Sequence, residues 1–260
     1  MSETYRVRSS SFGSFFDCPL RWAQMNLYGN TLPSTAPAAI GSAVHESTAC
    51  FDKHRADHDP ISTLDAAEVA VNYIRRPEEE VIWGDVSTDK AVEIALGAHT
   101  RYCNDISPKF EYEVIEKTLD PMEIEVNDDV TVELTGTLDR IYKVGSKRGV
   151  SDVKTGVRAM SMNTGKHKAQ VGIYSLLAEN TLGYPMELPE QILALQTSTN
   201  YEAGVFEVAD ARSVLIGTDD HIGLLQCMGA MLKEGLFYGN PQSWLCSDKY
   251  CSHYKQCNFR

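Results

Sequence analysis

The segment GTLDRIYKVGSKRGVSDVKTG, residues 136–156, reads as two short strands joined by a turn. Val132, Leu134, Leu138, Ile141, Tyr142 and Val144 are strand-type residues, and Gly145-Ser146-Lys147-Arg148-Gly149 supplies the reversal. Asp139 stands near one end. Asp152 and Lys154 follow on the returning strand, two residues apart and therefore on one face. Two carboxylates and an ammonium on paired strands suit a hydrolytic metal site. The acids would hold a divalent cation through hard oxygen atoms, and the lysine would orient a water or neutralise developing charge. An Asp-x-Lys pair is also common on a solvated strand face, so the case rests on the rest of the chain.

Immediately upstream, residues 112–126 (YEVIEKTLDPMEIEV) alternate as a strand, break at Asp120-Pro121 and resume. With 132–154 they predict a three-stranded meander leading into the hairpin. Downstream, a loop rich in Met, Asn and basic residues leads to a helix over about Lys168–Asn180, ended by Gly183 and Pro185. Ile173, Leu176 and Leu177 form its buried stripe, and Gln170 and Tyr174 lie four apart beside it. Two further strands are expected at Ile192–Thr197 and Val205–Val208, then a long helix capped by Asp210 and running to about Leu236.

At the other end, Phe12, Phe15 and Phe16 give an aromatic face to a short helix that Ser11 or Ser14 would cap, followed by Cys18-Pro19-Leu20-Arg21-Trp22. Residues 30–39 form a Pro-rich connector. A helix from near Ala38 past Ala49 places Gly41 and His45 four apart on one face. From Ile61 to about Asn104 the period is helical, interrupted at Pro77 and Gly84, and reads as a helical insertion forming a wall or lid.

The 260 residues are 43% hydrophobic and 23% charged, the proportions of an ordinary soluble domain with room for a sizeable core. The opening MSETYRVRSS lacks an apolar leader, and no apolar run approaches a membrane span, so a cytoplasmic protein is expected. The net charge of −12 argues against a polyanionic partner, but its distribution does not. Between Arg140 and Lys168 stand eight Lys or Arg and one acid, Asp152. This basic stretch would suit a face that receives a phosphate backbone, the alternative being a lysine-rich turn that is merely solvated. Of the seven cysteines, Cys50, Cys103 and Cys227 are isolated and expected as small buried hydrophobes, whereas Cys246, Cys251 and Cys257 cluster at the C-terminal end. An odd count without a leader argues against a disulfide framework.

In order, the chain carries Gly41-x-x-x-His45, Gly136-x-x-Asp139, Asp152-x-Lys154 and Gln170-x-x-x-Tyr174. This set resembles the PD-(D/E)XK nuclease superfamily, in its RecB-like branch, and within it the CRISPR-adaptation ("Cas-four"-like) exonucleases and those that phages carry. Each motif is weak alone; together they are specific. The resemblance covers nearly the whole chain apart from the 50–105 insertion. It implies an α/β fold, a restriction-endonuclease-like mixed β-sheet core flanked by helices. It further implies one nuclease domain over 1–260, with a helical insertion at about 50–105 and an iron–sulphur subdomain formed by 1–30 and 236–260.

Carried over by position, the resemblance makes His45, Asp139, Asp152 and the backbone carbonyl of Val153 ligands of Mg2+ or Mn2+. It makes Lys154 the residue that positions the attacking water or stabilises the transition state, with Gln170 and Tyr174 contacting DNA or bracing the site. Glu116 matches an additional acid that some members carry upstream. At the acid-x-Lys position this chain has Asp rather than the commoner Glu. The branch also often holds a 4Fe–4S cluster on one early and three late cysteines, here Cys18, Cys246, Cys251 and Cys257. Zinc is the alternative, though zinc sites usually contain tight C-x2-C pairs, absent here. The cluster would staple the termini across a loop of more than 200 residues.

The function implied is a metal-dependent DNA exonuclease acting on single strands or ends, in CRISPR adaptation, phage recombination or repair. Its partners would be DNA and the adaptation or recombination proteins of such a system. Homo-oligomers are allowed, since relatives form monomers and rings, and a phage-encoded protein would act in the host cytoplasm. A DNA-end-binding adaptor without catalysis is the alternative; a pure binder has no need of the paired acids. An iron–sulphur redox protein is disfavoured, because no flavin or nicotinamide fingerprint is present.

Overall fold

The computed structural model describes residues 2–198 and 200–260. Strand β1 (Glu3–Arg8) runs into helix α1 (Ser9–Asp17), and Pro19 opens α2 (Pro19–Asn26), where its missing N–H breaks no helical bond. A short strand β2 (Ser34–Thr35) precedes the 21-residue helix α3 (Ala36–Ala56). Helix α4 (Thr63–Arg75) starts at Ser62, whose hydroxyl accepts the Asp65 N–H, and stops just before Pro77. After β3 (Val81–Ile82), helix α5 (Thr88–Arg101) is capped likewise by Ser87 and ends in a π turn over Tyr102–Ile106.

Five strands follow: β4 (Glu111–Thr118), β5 (Met122–Asn127), β6 (Val130–Thr135), β7 (Thr137–Val144) and β8 (Lys147–Gly156). Helix α6 (Lys168–Leu182) ends at Gly183, whose φ of 73° is the left-handed cap that glycine adopts without strain. The remaining elements are β9 (Glu190–Gln196), β10 (Ala203–Val208), α7 (Ala211–Ile216), a minimal hairpin of β11 (Gly217–Thr218) and β12 (His221–Ile222), and α8 (Leu224–Lys233).

The central sheet has the order β10-β9-β8-β7-β4 and is mixed, with only β8 and β9 parallel. Its strands bury both faces. Ile141 and Val150 pack with Ile173 and Leu177 of α6 and with the aromatic face of α1, whereas Tyr142, Val153, Leu193 and Leu195 pack beneath α3, α4 and α5. A second sheet, β1-β6-β5, covers the same core as α6 and α8. This is the mixed α/β core flanked by helices expected of a restriction-endonuclease-like fold. Among the described residues no helix is long and apolar enough to cross a membrane.

Several local expectations are corrected. The meander does not form: β6 ends at Thr135 and joins β1 and β5, while β7 begins after Gly136 and pairs with β4 and β8. The predicted long helix after Asp210 is two helices. Gly217, at φ 95°, and Gly223 approach so closely that a Cβ on Gly223 would lie 2.2 Å from the Ile216 carbonyl carbon, and the hairpin between them breaks the helical path. Asp210 itself adopts φ 59° and makes no capping bond. Ser11 and Ser14 lie inside α1, where their hydroxyls donate to the Arg8 and Ser11 carbonyls. Cys103 is buried, but Cys50 and Cys227 are half-buried. The basic stretch does not make one face. Arg140 is fully buried, Lys143 pairs with Glu111, and Arg148 pairs with Glu113.

Candidate active site

His45 projects from the middle of α3, a helix brought close to β8 at Gly41, where a Cβ would meet Thr155 Oγ1 at 2.9 Å. The small residue at the first position of Gly41-x-x-x-His45 is therefore a packing requirement. Its imidazole Nδ1 lies 3.5 Å from Asp139 Oδ2. The same carboxylate oxygen accepts the Val153 N–H at 2.6 Å, which ties β7 to β8 at the site. On β8, Lys154 Nζ stands 2.6 Å from Asp152 Oδ2. From α6, Gln170 Nε2 donates at 3.3 Å both to Asp152 Oδ1 and to Tyr174 Oη. His45, Asp139, Asp152, Lys154, Gln170 and Tyr174, scattered over 130 residues of sequence, thus converge.

Glycine 136 makes the convergence sterically feasible. A Cβ there would lie 2.7 Å from Ser9 Oγ and 2.9 Å from Tyr174 Cε1, so any side chain would push Tyr174 off the site. Ser9, at the start of α1, was not foreseen from sequence.

The most closely grouped metal-type donors are His45, Glu116 and Asp139, whose ligating atoms all lie within 4.8 Å of one another. Asp152 instead faces Lys154 and Gln170. Glu116 reaches the group by a distorted backbone. It sits in β4 at φ 49°, left-handed for a residue with a side chain, between the pairs Ile115–Arg140 and Lys117–Leu138. Such a conformation costs on the order of 1–3 kcal/mol and persists only where neighbours enforce it.

The charges are unevenly shared. Burial raises the Asp139 pKa, but His45, Lys154 and Arg140 together outweigh it and hold the carboxyl down at about 2. Asp152 goes the other way: burial, with repulsion from Asp139, lifts it to about 6 despite the pull of Lys154. Lys154 is raised, since Asp152 and Asp139 outweigh its own burial, so it remains an ammonium. Lys154 pairs directly with Asp152 Oδ2, and burial together with Asp139 still lifts that carboxyl. Burial lowers the His45 pKa, but Asp139 and then Asp152 raise it on balance. Burial and the two acids push Tyr174 up to about 12, leaving it a neutral phenol. A further residue not foreseen is His167, whose pKa falls to about 4 through burial and the charges of Lys154 and Lys166.

Two carboxylates and one imidazole grouped within 4.8 Å, with the buried Asp152 carboxylate beside them, make an oxygen-rich donor set that fits a hard divalent cation. The chemistry on display is metal-assisted hydrolysis with an ammonium alongside.

The cysteines form a second locus. Cys18, Cys246, Cys251 and Cys257 all line one cavity between the N-terminal helices and the C-terminal tail. Burial raises the Cys251 thiol, and Cys18 and Cys257 stand close enough to add to the effect, while the His253 N–H and Arg21 oppose it. The lobe is cross-tied: Arg21 Nε donates to the Tyr250 carbonyl at 2.8 Å, Ser243 Oγ to Asp17 Oδ2 at 2.6 Å, and the Asn240 N–H to Cys18 Sγ at 3.4 Å.

Comparison with known proteins bears on the fold and the family. The chain resembles a crystal structure from Eubacterium rectale, of a protein provisionally designated an exonuclease, at a TM-score of 0.56 and 11% identity, over 89% of this chain and 82% of that one. It also aligns with the solved structure of SSO0001 at a TM-score of 0.46 and 14% identity, over 99% and 88%. No curated protein matches it. Residues 9–258 match the PD-(D/E)XK nuclease superfamily, whose members use divalent metals, and the chain belongs to that superfamily.

Proposed function

We propose that this nuclease is a Mg2+- or Mn2+-dependent DNA exonuclease of the RecB-like branch, acting on single strands or DNA ends. The observation that carries the reading is the fully buried Asp152 carboxylate paired with Lys154, beside the grouped donors His45, Glu116 and Asp139. A protein that only bound DNA would gain nothing from keeping such acids charged and buried. His45, Asp139, Asp152 and the Val153 carbonyl would hold the cation, with Glu116 as a further donor. When bound, the cation would lower the pKa of a water and screen negative charge on the phosphoryl oxygens.

The chain's own groups supply the rest. Lys154, kept charged, cannot accept a proton; it orients the attacking water and neutralises charge that grows at the phosphate. Gln170 at Oδ1 and Lys154 at Oδ2 fix the Asp152 rotamer between them. Tyr174, a neutral phenol hydrogen-bonded to Gln170, braces that amide and offers its hydroxyl toward the DNA strand.

In this reading residues 1–260 are one nuclease domain, with the helical insertion as a wall and a 4Fe–4S subdomain built from 1–30 and 236–260. The four cysteines sharing one cavity support the cluster. DNA-end processing in CRISPR adaptation, phage recombination or repair is the setting this assembly suits. The designation of the Eubacterium rectale neighbour agrees with the exonuclease assignment.

Linear and circular single-stranded DNA of the same sequence separate the alternatives. The linear strand should be degraded progressively from an end and the circle spared. Cutting of the circle would make the protein an endonuclease, and binding of both without cleavage would make it an adaptor.

A further inference from the structure

Arg140 is 0% exposed, and a guanidinium is retained in such a place only when its donors are spent. Here they are spent on the three elements that build the metal-type group. Nη2 reaches Thr48 Oγ1 at 3.3 Å on α3, and that hydroxyl donates to the His45 carbonyl at 3.0 Å. Nη1 donates to Glu116 Oε1 at 3.2 Å on β4 and to the Asp139 carbonyl at 2.8 Å on β7. Nε donates to Asp52 Oδ2 at 2.8 Å, two turns beyond His45 on the same helix. Tyr102 and Tyr112 flank the guanidinium, with ring centroids 5.9 and 5.8 Å from its central carbon.

Asp52 is itself fixed. Tyr102 of the π turn and Ser107 just beyond it donate to its two oxygens, and Arg55 donates to the Ser107 carbonyl at 2.7 Å. The left-handed backbone at Glu116 is thus matched by a rigid side-chain clamp on its carboxylate.

We propose that Arg140 is a positioning residue of the metal centre: clamped on Asp52, it aims the Glu116 carboxylate and fixes the Asp139 main chain relative to His45. The inference rests on the metal-nuclease reading above. The planar fork is essential to it, because one rigid head group reaches four partners on three elements; a lysine could keep the charge but not the geometry. It also gives the helical layer a mechanical role, since the π turn after α5 holds the clamp's anchor.

The test is Mn2+ binding, read by electron paramagnetic resonance on chelator-treated protein, for wild type, Arg140→Lys, Glu116→Gln and the double variant, with thermal unfolding in parallel. Arg140→Lys is expected to weaken Mn2+ roughly tenfold or more, and in the Glu116→Gln background to weaken it distinctly less, the remainder passing through the Asp139 main chain. Unchanged affinity with a lowered unfolding temperature would make Arg140 a structural ion pair and overturn the proposal. Fully additive losses would overturn it equally. Should Arg140→Lys fail to fold, Asp52→Asn loosens the same clamp and is expected to weaken Mn2+ in the same direction; unchanged affinity there counts against the clamp. Failure of wild type to bind Mn2+ would refute the metal site itself, a result distinct from insensitivity to Arg140.

Discussion

Asp152→Asn is expected to lower DNA cleavage by about a thousandfold or more while making the metal-free protein more stable at pH 7.5. The activity loss follows from removing a ligand whose cation supplies several kcal/mol of transition-state stabilisation, each 1.36 kcal/mol being tenfold in rate. The stability gain follows from the carboxyl's environment. Burial, then Asp139, raises its pKa to about 6, against roughly 3.9 in an unfolded chain. A raised carboxyl contributes stability below the unfolded value, and that contribution is lost as pH rises through about 6. At pH 7.5 the metal-free protein therefore bears a buried anion that its fold disfavours. Asparagine removes that anion at the same size. Calorimetry in chelator should show the variant unfolding roughly 5 °C or more higher at pH 7.5, with the difference shrinking toward pH 4. A lower unfolding temperature at pH 7.5 would show instead that the Lys154–Asp152 pair is net stabilising.

Cys251→Ala should cost the protein its iron, its brown colour and much of its stability together. The tail beyond α8 holds only one short 3-10 helix, Tyr254–Gln256, and cannot order itself through backbone pairing. It is held by side-chain ties to α1 and α2 and, in this account, by thiolates around a shared cluster. Closing a loop of more than 200 residues is worth about 5 kcal/mol in chain entropy, a third or more of a typical domain's stability. Iron analysis, visible absorption and unfolding temperature on anaerobically purified protein check this. Retention of colour and unfolding temperature in the variant would remove the cluster from the account.

What the sequence made legible were features encoded locally. The β7–β8 reversal is announced by Gly145, which takes φ 61°, and α6 by its stripe and by Gly183. The order of His45, Asp139, Asp152, Lys154, Gln170 and Tyr174 was readable because each motif spans no more than five consecutive residues. What stayed hidden depended on partners distant in the chain. A period of two cannot show that the chain changes sheets at Gly136, because the reason is the approach of Ser9 and Tyr174 from other elements. Arg140 looked like one of eight basic residues facing DNA, whereas its counter-ion Asp52 lies 88 residues earlier. Glu116 was legible only as an extra acid; its turned backbone has no signature in composition. By contrast, Gly217 and Gly223, six apart in a supposed helix, were a visible sign of the hairpin that replaces it.

The central claim is that the buried acids around His45 form a metal-dependent hydrolytic site. The most direct measurement is cleavage of end-labelled single-stranded DNA by anaerobically purified protein, first stripped with chelator and then titrated with Mn2+ or Mg2+. The account predicts no cleavage when stripped, full recovery on adding either ion, and no recovery in Asp139→Asn. Cleavage that persists in chelator, or that survives intact in Asp139→Asn, would contradict it.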